Sequence, residues 1–146
     1  MKLRALGGVA LAALVCALCS SCVQPGNGVD KDLSLDDAKA RAQAIEREIA
    51  DTLAPDVLGE VDQLSEGTFL PCSGGEGEHW AGGLTARVLG NPSSEQVIGP
   101  IVVHFADRDD VTVRLREDHG DPMVDIIGSY GSMWIVRYSR DRAEVD

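Results

Sequence analysis

Apolar side chains recur every three or four positions along residues 34–54: Leu35, Ala38, Ala42, Ile45, Ile49 and Leu53. That spacing gathers them into one stripe and predicts a helix with a buried face. Ser34 followed three residues later by Asp37 resembles a capping box, and Pro55 stops the run. Asp37 with Arg41, and Arg47 with Asp51, stand four apart on the polar side, where opposite charges support a helix. That side holds no excess of basic residues, so the helix is expected to pack on a sheet and not to lie on anionic lipid.

The rest of the chain changes period. Residues 57–64 and 68–71 read as short strands broken at Glu66-Gly67, and the glycine-rich stretch 72–78 as a loop. Residues 79–89 alternate, with Trp80, Gly82, Leu84, Ala86 and Val88 on one side, which predicts a single half-buried strand ended by Gly90-Asn91-Pro92. Val97, Ile98, Ile101, Val102 and Phe105 return to helical spacing, but Gly99-Pro100 interrupts them. Proline suits a first helical turn and breaks an interior, so the expected helix covers residues 100–108 and is entered through an irregular turn. Three strands then close the chain, at 111–117, 123–128 and 132–139, with a turn at 118–121 and a link around Ser129-Tyr130-Gly131. In the first, Val111, Val113 and Leu115 point inward and Thr112, Arg114 and Arg116 outward. Neighbouring strands joined by short turns run antiparallel. The order α-β-β-β-α-β-β-β predicts an α+β fold: an antiparallel sheet with two helices packed on one face.

Length sets one domain for 146 residues, and 4% aromatic content makes its core mainly aliphatic. The first residues stand apart. Lys2 and Arg4 precede an uncharged, largely apolar run from Ala5 to Leu18, and Ser20-Ser21-Cys22 follows. A short basic start, an apolar stretch of about 7–15 residues and small residues beyond it describe a secretory signal. The run falls short of the roughly 20 residues a membrane-spanning helix needs. Leu18-Cys19-Ser20-Ser21-Cys22 resembles a bacterial lipobox, in which a pair of small residues precedes a cysteine that becomes the lipid-carrying first residue of the mature chain. It departs from that family in having Cys19 where leucine is usual, with Leu18 one position further back. The resemblance implies a signal peptide over 1–21, lipidation of Cys22, a flexible tether over 22–32 rich in Gly and Pro, and one globular domain over 33–146. Simple secretion is the alternative fate. Leu70-Pro71-Cys72 followed by Trp80 is loosely similar to small actinobacterial lipoproteins, a likeness that brings no chemistry with it.

Charge narrows the partners. With Lys2 and Arg4 gone, 11 of the 13 basic residues remain against 24 acidic ones, a net charge of −13. Such a surface repels nucleic acid, and its plain consequence is solubility. The expected partners are therefore the membrane through the lipid anchor and an envelope protein or cell-wall component. With Cys16 and Cys19 removed and Cys22 acylated, Cys72 has no partner in the chain and is expected as a buried thiol.

Candidate chemistry is thin. Cys72 with His79 or His104, and backbone N–H groups from Gly74, Gly75 and Gly77, could in principle form a nucleophilic site, yet no nucleophile elbow or cysteine-hydrolase signature accompanies them. His79, His104 and His119 lack ligand spacing. Asp107, Asp109 and Asp110 start like a calcium loop, which then fails at Val111 and Thr112. The group 117–121 reads as hairpin turn chemistry. No catalytic residue, metal or cofactor is expected. Cys72, Trp80, Trp134 and Tyr138 are the candidate binding residues; Trp134 and Tyr138 share a strand face with Val136, which is either core or, if uncovered, a binding platform. The expected function is a non-catalytic, membrane-anchored binding domain. A small-ligand or lipid carrier would instead need a deep apolar cavity, and an enzyme a cleft joining Cys72 to a histidine.

Overall fold

A computed structural model describes residues 30–72 and 77–146. The signal-like segment, Cys22 and most of the tether lie outside these residues, as do Gly74 and Gly75 of the loop.

The first helix, α1, spans Leu35–Asp51, and the Ser34 side chain caps it by accepting a hydrogen bond from the Asp37 backbone N–H. Strands β1 (Leu58–Gln63) and β2 (Thr68–Pro71) follow. The stretch expected to form one strand over 79–89 forms two, β3 (Glu78–Ala81) and β4 (Leu84–Val88), divided at Gly82-Gly83. A glycine pair packs no side chain and bends easily, so the period-two pattern continues through a corner that alternation alone does not reveal. β3 turns back on β2 to make a separate two-stranded sheet.

The second helix also departs from expectation. α2 spans Ser94–Ala106 and carries Pro100 in its interior. Its start is fixed by a complete capping box: the Ser93 hydroxyl accepts from the Gln96 N–H, and the Gln96 side chain accepts from the Ser93 N–H. Gly99 has no Cβ to meet the proline ring, which removes part of the usual objection to a helical residue before proline. Val97, Ile98, Ile101 and Phe105 are all buried, and that apolar stripe outweighs the one backbone bond Pro100 cannot make.

Strands β5 (Thr112–Asp118), β6 (Asp121–Ile127) and β7 (Met133–Ser139) form the expected meander. His119 and Gly120 both take positive φ in the two-residue β5–β6 turn, which joins the strands with the twist they need. A last strand, β8 (Glu144–Val145), lies between β4 and β7, so the main sheet runs β1-β4-β8-β7-β6-β5, antiparallel throughout. The fold is α+β as the pattern implies, with two more strands than the alternation announces.

One core holds it together. Ile49 and Leu53 of α1 and Val97, Ile98, Ile101 and Phe105 of α2 meet Ala86, Val88, Val124, Ile126, Val136, Tyr138 and Val145 from the sheet. These sheet residues share one face by alternation and pairing, so both helices cover the same side. Each buried aliphatic side chain contributes about 1.5–3 kcal/mol, the same order as the backbone entropy of the residue it fixes.

Candidate functional site

Three places collect chemistry-bearing side chains. The first lies between the helices. Glu48 on the last turns of α1 meets His104 and Arg108 at the end of α2. The His104 Nε2 donates to Glu48 Oε1 at 2.7 Å, and Arg108 Nη1 reaches both carboxylate oxygens at 3.0 Å. Arg108 turns its other edge to Asp110, with Nε and Nη2 at 2.9 and 2.6 Å. The hydrogen bond from His104 first, and those from Arg108 next, hold the Glu48 carboxyl below the usual carboxylate range. Asp110 first and Glu48 second keep Arg108 more firmly protonated than a free arginine. An open groove of about 380 Å³ beside this chain is lined by Ala44, Arg47, Glu48, Asp51, Thr52 and His104. The groove is open to solvent, where a carrier pocket needs an enclosed apolar cavity. Glu48 is committed to His104 and Arg108, and the Thr52 hydroxyl donates to the Ile49 carbonyl at 2.7 Å, so no hydroxyl there stands ready beside a base.

The second place is the β2–β3 hairpin. Trp80 pairs with Phe69 across the strands, their rings 5.4 Å apart and edge to face. The Lys39 ammonium of α1 sits 5.0 Å from the Trp80 ring centroid. The indole lies so close to Gly67 and Gly82 that a Cβ at either would come within about 2.5 Å of it, so these two glycines make its seat. Trp80 Nε1 is buried without a partner among the described residues. Cys72 is half-buried beyond β2, and its backbone N–H donates to the Gly77 carbonyl. His79 is exposed on β3 opposite Leu70 and His104 engages Glu48; among the described residues neither histidine is hydrogen-bonded to Cys72.

The third place is the sheet face turned away from the helices. Trp134 and Tyr138 are not on it. Tyr138 is 1% exposed, inside the core, and its hydroxyl donates to the Pro92 carbonyl at 3.2 Å. Trp134 packs against the same core and donates to the Ala42 carbonyl at 3.3 Å. Both belong to the helix-covered side, which answers the choice between core and platform in favour of core. The open face instead carries Met133, 53% exposed, and Ile135, 47% exposed, with Ile127 and Met123 alongside. At its centre is Asp125, 5% exposed, flanked across the strands by Arg114 and Ile135. Arg116 Nε donates to both Asp125 oxygens, at 2.9 and 2.8 Å. None of this was singled out from the sequence beyond the outward direction of Arg114 and Arg116. A lone Asp among apolar residues gives no pattern, and only the register shows which arginine it meets.

Among the described residues no group of three His, Cys, Asp or Glu side chains is placed to hold a metal ion, and no described helix is long and apolar enough to cross a membrane. Comparison with protein-family models, with curated proteins and with solved structures finds no match to the chain.

Proposed function

We propose that the chain is a lipoprotein held on the extracytoplasmic face of the cell membrane through Cys22, and that its domain over 33–146 is a non-catalytic binding module for an envelope protein or wall component. The observation that carries the reading is the run from Lys2 to Cys22: a basic start, an uncharged apolar stretch, and Ser20-Ser21 directly before a cysteine. The binding half of the reading is supported by the sheet face without a helix, where Met133 and Ile135 stand in water beside arginines. The open groove, whose Glu48 is already bonded to His104 and Arg108, supports a non-catalytic domain.

Metabolic labelling with a fatty acid tests the anchor. The wild-type chain should take up label and partition into detergent, and Cys22→Ala should abolish both. Undiminished labelling of that variant would overturn the reading.

A further inference from the structure

The two edges of the main sheet are built differently. β1, at one edge, is interrupted by a shift of register between Leu58 and Val61, and side chains of α1 reach the chain beyond it: Gln43 donates to the Leu64 carbonyl and Lys39 to the Ser65 carbonyl. β5, at the other edge, pairs with β6 over seven consecutive positions without a shift, and among the described residues no strand pairs with its far side. It contains no proline and no bulge. Leu115, on the helix side of the sheet, is 61% exposed at this edge. A long, regular, unpaired edge is a template for another strand.

The side chains decide which strand. Arg114 and Arg116 stand two apart on the open face of β5. Arg114 has no hydrogen-bond or ion-pair partner among the described residues. Arg116 is held by Asp125 through Nε alone, which fixes the guanidinium and leaves both terminal nitrogens as donors. Antiparallel pairing of β5 with a second β5 keeps each residue on its own face, so the arginines of one copy fall among those of the other. Centring on Leu115 sets Arg114 against Arg116 of the second copy, and centring on Arg114 sets that residue against itself; centring on Arg116 sets it against itself but brings Arg114 opposite Asp118. Like charges directly opposite are destabilising. Two chains of this net charge also repel each other.

We propose that β5 is a strand-addition site for an extended acidic segment of another protein, with carboxylates at alternate positions opposite Arg114 and Arg116 and an apolar residue between them beside Leu115. The backbone edge selects a polypeptide over a polyanion, because only a peptide offers N–H and C=O groups in that row. The arginine pair accepts carboxylates in charge-assisted hydrogen bonds. The domain's net negative charge acts against encounter at long range, but salt screens it beyond roughly 8 Å, and the contact itself is local. This inference deepens the binding-module reading and rests on it.

The test uses the full chain in detergent micelles and two end-capped peptides, one with Asp-Val-Asp between threonines and one with Lys-Val-Lys in the same frame. The readout is amide hydrogen exchange resolved by residue. The Asp peptide should slow exchange along β5 and leave β1 unchanged, while the Lys peptide should do neither. Arg114→Gln removes the charge without setting a second carboxylate opposite Asp125 and breaks no hydrogen bond in the fold; it should leave the melting temperature near that of the wild type and weaken the Asp peptide about tenfold. No protection at millimolar peptide, equal protection by both peptides, the same protection from polyphosphate, or a dimer dissolved by Leu115→Lys would each overturn the proposal. Loss of β5 binding alongside intact Cys22-dependent labelling refutes strand addition and spares the anchor; the reverse result does the opposite.

Discussion

Tyr138 places one hydroxyl inside an otherwise aliphatic core, and that hydroxyl is bonded to the Pro92 carbonyl just ahead of α2. Tyr138→Phe keeps the ring and strands the carbonyl. The expected cost is about 0.5–1.5 kcal/mol, read as a lower urea midpoint at unchanged slope. An unchanged midpoint would show that the bond contributes nothing. Trp80 makes the opposite case, a large side chain seated on two absent ones. Gly82→Ala puts a methyl within 2.4 Å of the indole nitrogen, so the ring must leave its place against Phe69 and Lys39. The measurement is tryptophan emission, compared in a Trp134→Phe background so that one indole reports. The expected result is a red shift in Gly82→Ala at retained helix content. From the sequence, Trp80 and Tyr138 are visible as aromatic residues on alternating faces, and Cys72 as a thiol without a partner. Their surroundings are not visible, because they come from glycines, a proline carbonyl and a helix far away in the chain.

Periodicity carries most information where an element is long and its cap is in sequence. α1 is legible almost to its ends, since the apolar stripe and Ser34 agree. α2 is misjudged because Pro100 speaks louder in one dimension than the Ser93–Gln96 box that starts the helix a turn and a half earlier. Both features can be tested. Ser93→Ala removes a cap and should cost about 1 kcal/mol in thermal or urea unfolding. Pro100→Ala restores a backbone N–H within hydrogen-bond reach of the Gln96 carbonyl and should stabilise the domain, although the more flexible unfolded chain offsets part of the gain. A lower melting temperature for Pro100→Ala would mean that ring packing outweighs the missing bond. The meander β5–β6–β7 was legible from strict alternation and turn residues. β8 was not, since two residues hold no period and their pairing with β4 and β7 is a matter of tertiary order.

At the scale of the whole molecule, acid is the first stress to consider. The carboxyls of Glu48, Asp110 and Asp146 all sit below their ordinary values; for Asp146, burial pushes upward, and hydrogen bonds from Arg137 and Arg142 outweigh it. A depressed carboxyl stabilises the fold fully above its unfolded value, about 4.3 for a glutamate, and loses that contribution as pH falls through the folded value. The melting temperature should therefore be flat near neutrality and drop in this acid range. Glu48→Gln should lower it at pH 7, with the gap to wild type closing below about pH 4. A constant gap across the whole range would remove the ionic account. The Glu48–His104–Arg108 bridge was invisible in the sequence because Glu48 lies more than 50 residues from the other two. The sheet itself has a seam. β1–β4 and β5–β6–β7 each pair with sequence-near neighbours, and two residues, Glu144 and Val145, join the two blocks. Ala86 finds Val145 only after roughly 60 further residues have been made, and the core that α1 and α2 share straddles that seam. The chain thus has a built-in delay: its two blocks cannot lock together until β8 is free to enter between them.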